Sequence, residues 1–346
     1  MPGLKEEAMT EVSPFIAGMP KAELHVHLEG TLEPELKFQL AARNHVDLPY
    51  RSAAEMRAAY NFDDLPSFLA MYYEGMAVLQ AEEDFYDLAM AYFRKARSQN
   101  VVYAEVFFDP QAHTSRGVPF ETVISGFRQA QRAANAELGL HTQLIMCFLR
   151  DLSVDSAMQT LENSLAYRDW IAGVGLDSDE KGNPPVKFKE VFDQARNEGY
   201  HLTMHCDVDQ QDSVTHIWQC LDDIGVERID HGANCLEDAA LVQRLRGSAV
   251  GLTACPISNS YVSGSLKARE IKEMLDQSLL VTINSDDPAY FPGYMNENLS
   301  AVADAAKLTR QQVAQTVRNA FTIAWLGEAD RDRYLRDLAA YVSGDA

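Results

Sequence analysis

The sequence predicts a single (β/α)8 TIM barrel, an α/β fold in which eight parallel strands alternate with helices. The sequence has eight short strand-like runs, most of which are apolar on both faces, as buried parallel strands are. The 346 residues, 47 % of them apolar, are enough for one such barrel and its core. The predicted strands are 22–27, 101–108, 142–149, 170–176, 201–206, 227–232, 250–256 and 279–284.

Helical patterns separate the later strands. They cover 186–199, which ends at Gly199 as helices commonly do, then 213–224, 237–246 and, more weakly, 265–277. The rival fold is a doubly wound sheet, which normally carries a phosphate-binding glycine turn after an early strand. No GxGxxG follows any of the predicted strands, so the barrel is favoured.

Two further regions are expected to be helical. Residues 31–100 are too many for one crossover helix and predict a helical insertion after the first strand, a candidate lid. Residues 296–346 predict a C-terminal helical region. Because no repeat, low-complexity tract or composition break marks a linker, we expect 1–346 to form one domain.

Charge and cysteine content narrow the class of partner. A formal charge of −21 disfavours nucleic acid and membrane surfaces, and leaves a small molecule as the expected partner. Five irregularly spaced cysteines do not indicate a disulfide framework, and buried thiols are expected. The N-terminus lacks a signal-peptide pattern, so a cytoplasmic protein is expected. The sequence leaves a homo-oligomer open.

Chemistry-bearing side chains collect at the ends of the predicted strands. The first ends in His25 and His27, the fifth includes His205, and the eighth is followed by Asp286. Residues i and i+2 of a strand point to the same side, and the carboxyl ends of barrel strands open onto one face. Three imidazoles and one carboxylate suit a single catalytic Zn²⁺ with one position open for water.

A zinc-dependent hydrolase also needs a group that orients the water and takes its proton. His231, at the end of the sixth strand, is the candidate. The HxE and PCxxC motifs of cysteine-ligated nucleobase deaminases are absent, because Cys255–Pro256 lacks a second cysteine.

Five segments of the chain carry a family resemblance. The motifs AELHVHLEGTLEPEL, GVGLDSDE, ERIDHG, TACPISNS and VTINSDDPAYF resemble, in order, those of the adenosine/adenine deaminase family of the amidohydrolase superfamily. The resemblance implies a (β/α)8 barrel with one catalytic zinc per subunit and a purine substrate.

The resemblance also implies roles for individual residues. His25, His27, His205 and Asp286 match the metal ligands, with Asp286 also part of the catalytic set, and His231 matches the water-activating histidine. Asp287 matches the residue that contacts purine N7, and Ser178 the residue whose backbone N–H meets N3. Glu29 stands where adenosine deaminases have a ribose-binding aspartate, and its longer side chain is expected to fill the ribose space and meet the edge of a free base. Together with FDPQAHT (108–114), it is similar to the adenine deaminase branch, which makes free adenine the expected substrate.

One motif departs from the family pattern. The family has His-Ala-Gly-Glu after the fifth strand, and its glutamate protonates N1, whereas this chain has HCDVDQ (205–210) with Val208 in that place. General acids contribute roughly 10²–10⁴-fold to such reactions. The candidate replacements are Asp207, then Asp209, then Glu180, which is also a candidate substrate contact.

The altered motif leaves several functions open. A relocated acid would preserve deamination of adenine to hypoxanthine, a step of purine salvage. A reshaped pocket would instead admit an N6-substituted adenine, and adenosine remains a further alternative. A non-catalytic purine-binding protein is the alternative from another class. A nucleotide deaminase is disfavoured because Arg116 and Lys187 are isolated from the motifs.

Overall fold

Eight parallel strands pair in sequence order into one sheet, which confirms the predicted barrel. The structure is a computed structural model and describes residues 12–62, 64–206 and 208–344. Seven of the strands lie within a few residues of their predicted positions. The strands are β1 (Lys21–Glu23), β2 (Val101–Phe108), β3 (His141–Leu149), β4 (Ile171–Asp177), β5 (His201–Cys206), β6 (Arg228–His231), β7 (Gly251–Ala254) and β8 (Leu280–Ile283).

Strand β1 is shorter than predicted, because the residues after Glu23 bond to the chain after β8 without forming a regular strand ladder. The backbone N–H of Leu24 donates to Oδ1 of Asn284 at 2.9 Å instead of continuing the ladder. Beyond it, the N–H of Asp286 donates to the carbonyl of His25, and the N–H of His27 donates to the carbonyl of Asp286. These bonds join the first strand to the chain after β8.

Helices surround the barrel, and most of the apolar core lies between them and the strands. The predicted helical patterns after β4 all contain helices, although each begins or ends a few residues from the expected position. The α-helices are α1 (Pro14–Gly18), α2 (Pro34–Arg43), α3 (Ala53–Ala59), α4 (Leu65–Gly75), α5 (Glu82–Ser98), α6 (Pro110–Thr114), α7 (Phe120–Ala133), α8 (Val154–Ser164), α9 (Lys189–Asn197), α10 (Ser213–Trp218), α11 (Ala239–Arg246), α12 (Pro256–Val262), α13 (Ala268–Asp276), α14 (Met295–Ala305), α15 (Arg310–Ile323) and α16 (Glu328–Ser343).

The segment after β1 forms α2 to α5, and α4 lies at the mouth of the barrel. Asp64 and Ser67 form a capping box that fixes the start of α4, and Pro66 occupies its first turn. The opposite end of the barrel is filled by a buried ion pair between Arg228 and Glu105, with the guanidinium stacked on Trp325. Among the described residues, no helix is both long and apolar enough to span a membrane.

Candidate metal centre and substrate pocket

Four predicted metal ligands converge at the carboxyl ends of the strands. The ligand atoms of His25, His27, His205 and Asp286 all lie within 4.8 Å of one another. Nε2 of His27 lies 3.1 Å from Nε2 of His205, and Oδ1 of Asp286 lies 3.2 Å from Nε2 of His25 and 3.5 Å from Nε2 of His27. Ligands about 2.1 Å from a tetrahedral zinc ion would be roughly 3.4 Å apart. The residues therefore fit one metal ion without rearrangement.

The electrostatics of the cluster keep these groups ready to ligate. Burial and the neighbouring imidazoles lower the pKa of His205 well below its usual value, so its ring keeps a free lone pair at neutral pH. Burial tends to raise the pKa of Asp286, but the adjacent His25 and other imidazoles outweigh it and hold that pKa well below its usual range. A neutral imidazole and an ionised carboxylate are the forms that bind metal.

Asp230 lies behind the ligands and orients them. Its two carboxylate oxygens accept hydrogen bonds from the hydroxyls of Thr203 at 2.7 Å and Thr253 at 2.9 Å. The Thr253 hydroxyl lies 2.9 Å from Nδ1 of His25, and Oδ2 of Asp230 lies 3.5 Å from Nδ1 of His205. Nδ1 of both rings thus lies on the side of Asp230, and Nε2 of both is left for the cluster. The sequence did not identify the partners of Asp230.

His231 lies beside the same cluster, as the sequence predicted. Its Nε2 is 3.8 Å from Oδ2 of Asp286, and its ring centroid is 4.7 Å from that of His25. Both His231 (φ 61°) and Asp286 (φ 65°) have left-handed backbone conformations, which L-residues rarely adopt. Such conformations cost about 1–3 kcal/mol each and persist where the surrounding structure fixes them, commonly at functional sites.

A pocket opens next to the cluster, between the strand ends and helix α4 of the candidate lid. Its floor includes four carboxyl-bearing residues, and α4 covers it with aromatic and aliphatic side chains. The pocket is lined by His27, Leu65, Phe68, Leu69, Tyr72, Tyr73, Asp109, Asp177, Ser178, His205, Val208, His231, Ser258, Asn259, Val262, Asp286, Asp287 and Phe291.

Asp287 and Ser178, the two predicted purine contacts, both line this pocket. Oδ1 of Asp287 is buried without a hydrogen-bond partner. Burial beside the charge of Asp286 raises the pKa of Asp287 well above its usual range. The side chain fits only because Gly30 lacks a Cβ, which would lie 2.9 Å from the Cα of Asp287.

The candidate acids lie in different surroundings. Asp207 lies outside the described residues. The carboxylate of Asp209 is half-exposed and pairs with Nζ of Lys267 at 2.6 Å, and Asp209 does not line the pocket. Glu180 does not line it either, because its buried carboxylate contacts Nη1 of Arg150 at 3.3 Å and Nδ1 of His216 at 2.8 Å. Val208 is buried in the pocket wall.

Glu29 also lies away from the pocket surface. Its Oε1 accepts hydrogen bonds from Nε2 of His113 at 2.8 Å and from the backbone N–H of Asp109 at 3.2 Å. Nδ1 of His113 accepts from Arg116, so Nε2 carries the proton that bonds to Glu29. Asp109 stands between Glu29 and the pocket, and it is Asp109 that lines the wall.

Sequence reasoning missed several pocket residues. Asp109 directly follows β2 and Asp177 ends β4, and the rule that sites gather at strand ends was the signal that could have found them. Ser258 and Asn259, from the motif TACPISNS, also lie in the pocket wall. Nothing in the sequence indicated that α4 would line the pocket, since the apolar face of a helix more often packs into the hydrophobic core.

Comparison with known proteins places this geometry in context. The sequence model of the adenosine deaminase family matches residues 20–341. The chain is 51 % identical over 336 residues to an uncharacterized deaminase of Schizosaccharomyces pombe, covering 97 % of this chain and 99 % of that protein. It is 49 % identical over 321 residues to an adenine deaminase of Crocosphaera subtropica, covering 92 % and 98 %. The crystal structure of an adenine deaminase from Arthrobacter aurescens superposes with a TM-score of 0.91 at 42 % identity, covering 94 % and 100 %.

Proposed function

Because the chain belongs to the adenosine deaminase family, we propose that it is a zinc-dependent hydrolase that converts adenine and water to hypoxanthine and ammonia. The observation that carries the proposal is the cluster of three imidazoles and one carboxylate beside a pocket lined by the predicted purine contacts Asp287 and Ser178. Relatives named adenine deaminases that align over nearly the whole chain support the choice of adenine.

The proposed ligands are His25, His27, His205 and Asp286. When bound, zinc supplies a Lewis acid that makes water nucleophilic near neutral pH. Iron or manganese would suit the same donors less well than zinc, because zinc favours four-coordinate sites of nitrogen and oxygen. Asp230 then acts as a positioning residue for two of the ligand rings.

We assign the proton and substrate contacts to residues around the pocket. His231, beside Asp286, takes the proton of the attacking water as its oxygen bonds to C6. N1 gains a proton from an acid of the pocket, and the C6–N6 bond then breaks as ammonia leaves with the proton returned from His231. The C6 hydroxyl gives its proton back to that acid as the carbonyl of hypoxanthine forms. Asp287 donates to N7, and the backbone N–H of Ser178 donates to N3, which together hold C6 toward the ligand cluster.

Asp207 is the acid that we propose for N1. The two alternatives from the sequence are engaged elsewhere, Asp209 by Lys267 and Glu180 by Arg150 and His216. Asp207→Asn is therefore expected to lower kcat by roughly 10²–10⁴-fold while zinc stays bound. Asp212→Asn, an exposed aspartate of the same segment, is the matched control and should keep wild-type kcat. Unchanged kcat in Asp207→Asn would show that another group protonates N1.

A second substrate class is favoured by Val208. This side chain presents an apolar surface where the family has a glutamate, and Val262 and Leu65 add further apolar surface to the same pocket. An alkyl group on N6 would pack against this apolar wall, and removing its surface from water would favour binding. The same hydrolysis would then release an amine in place of ammonia.

The test is turnover of a substrate panel by the zinc-loaded protein, followed by ammonia release and product mass. The panel holds adenine, adenosine, 2′-deoxyadenosine, N6-methyladenine, N6-isopentenyladenine and adenosine monophosphate. Fast conversion of adenine with adenosine inert is the expected result. Faster release of an amine from an N6-substituted base would favour the second class. No turnover with zinc bound would favour a purine-binding protein instead.

A cytoplasmic location and a place in purine salvage agree with a small-molecule purine substrate, and we propose both on that basis. Chromatography of the purified protein against its monomer mass of 38.6 kDa tests for a homo-oligomer.

A further inference from the structure

We propose that Asp109 selects the free purine base over its nucleosides by accepting a hydrogen bond from N9–H. The inference deepens the proposed function and rests on it for the orientation of the purine. It differs from the expectation drawn from the sequence, in which Glu29 meets the edge of the base.

The structure separates the roles of these two carboxyl groups. Glu29 is fully buried, and its Oε1 is already shared between His113 and the backbone N–H of Asp109. It therefore holds the end of β2 in place and acts on the pocket through Asp109. Asp109 is only 1 % exposed, yet it lines the pocket.

The Asp109 carboxyl has one oxygen left for a ligand. Oδ2 accepts a long hydrogen bond from the hydroxyl of Tyr72 at 3.4 Å, and the carboxyl of Asp177 lies beside that of Asp109. Oδ1 is buried and meets no N–H or hydroxyl donor among the described residues. Leaving a buried polar atom unpaired costs about 1–3 kcal/mol, and more for a charged group. A carboxyl oxygen kept in this state at a pocket wall indicates that the ligand provides the partner.

The orientation of the purine brings N9 to this wall. With C6 at the ligand cluster and N7 at Asp287, the N3/N9 edge points away from both. Ser178 directly follows β4, Asp109 directly follows β2, and both line the pocket. N9–H is the donor that distinguishes a free base, because a nucleoside replaces that hydrogen with its sugar.

Helix α4 makes the same distinction by shape. Tyr72 and Phe68 of α4 are 3 % and 4 % exposed and pack with ring centroids 5.3 Å apart, so they close the space beyond Asp109. A sugar on N9 would displace these rings and leave the Asp109 oxygen without its donor. Both effects act against nucleosides and neither acts against the free base.

The experiment compares adenine with 9-methyladenine, which lacks the N9 donor, in the zinc-loaded full-length protein. Asp109→Ala and Asp109→Leu both remove the acceptor, and Leu keeps most of the volume. Asp109→Asn keeps an oxygen acceptor, and Asp222→Ala is a surface control, since Asp222 pairs with Arg244 on the outside of the barrel.

We expect wild type and Asp222→Ala to prefer adenine strongly by kcat/KM. Asp109→Ala and Asp109→Leu should reduce that preference by roughly 10- to 100-fold, the worth of a hydrogen bond to a charged group. The loss should lie mainly in KM, because the N9 contact is the same in ground and transition states. Asp109→Asn should keep most of the preference. A preference unchanged in both acceptor-free variants, or lost equally in Asp109→Asn, would overturn the proposal.

Binding separates this proposal from the function on which it rests. Calorimetry with purine and 9-methylpurine, which carry no leaving group, needs no turnover. If wild type does not deaminate adenine, the proposed function fails, and the binding preference for purine still tests Asp109. A wild type that deaminates adenine but binds purine and 9-methylpurine equally, with no effect of Asp109→Ala, refutes only the role of Asp109.

Discussion

Replacing Asp230 tests the arrangement behind the metal ligands. Asp230→Ala removes the acceptor for the hydroxyls of Thr203 and Thr253 and the carboxylate beside Nδ1 of His205. Residues that orient metal-binding imidazoles are typically worth 10–100-fold in metal affinity or activity. Two buried hydroxyls would also lose their acceptor, at about 1–3 kcal/mol for each that stays unpaired. We expect zinc affinity to fall by roughly 10–100-fold and the apo-protein to lose a few kcal/mol of stability.

The assay is competition for zinc against a chromophoric chelator, with urea unfolding of the apo-protein measured in parallel. Thr253→Val is the matched variant, because it removes only the hydroxyl beside His25 and keeps the shape of the side chain. It should weaken zinc binding less than Asp230→Ala. The double variant should lose less than the sum of the two, since both act through one network. Zinc affinity within twofold of wild type in Asp230→Ala would refute the positioning role.

Three further outcomes are expected. His231→Asn should lower kcat by roughly 10²–10⁴-fold with zinc content unchanged, and equal losses of zinc and activity would make it a structural residue instead. Gly30→Ala should abolish activity and lower the melting temperature, because the new Cβ would lie 2.9 Å from the Cα of Asp287, and wild-type activity would contradict the packing. Burial, with Arg116 nearby, lowers the pKa of His113 to about 3. The unfolded histidine binds its proton near pH 6.5, so the stability that the neutral ring contributes is lost as the pH falls from 6.5 toward 3. His113→Gln should flatten that part of the curve of melting temperature against pH, and an unchanged slope would assign the loss to other groups.

The strands and the cluster of candidate metal ligands could be predicted because both follow from short patterns in the sequence. Buried parallel strands are continuous apolar runs, and the strand ends of a barrel share one face. His25 and His27 are two residues apart on one strand, so their common direction follows from local geometry alone. The family resemblance of the motifs, which the family match over residues 20–341 confirms, added the purine.

The supporting residues could not be predicted, because they depend on which side chains meet across strands. Asp230 acts through hydroxyls on the two neighbouring strands, and that meeting is set by the register of β5, β6 and β7. The sequence predicts a substrate contact for Glu29, but it does not show that Oε1 of Glu29 accepts hydrogen bonds from His113 and from the backbone N–H of Asp109. A motif identifies a position along the chain, whereas the distance of a side chain from the substrate depends on how the whole structure packs.

The acidity of the pocket is explained by what a purine base offers. Adenine presents ring nitrogens N1, N3 and N7 as acceptors, so a pocket that binds it needs donors. Burial raises the pKa of Asp177 and Asp287 well above their usual range, so these two carboxyls carry protons at neutral pH. Neutral carboxyls donate to nitrogen, while the same residues, once ionised, would repel phosphate. Among the described residues that line the pocket there is no lysine or arginine. Adenosine monophosphate should therefore bind at least tenfold more weakly than adenine, which competition calorimetry measures, and comparable affinities would show that the phosphate finds a partner outside this pocket.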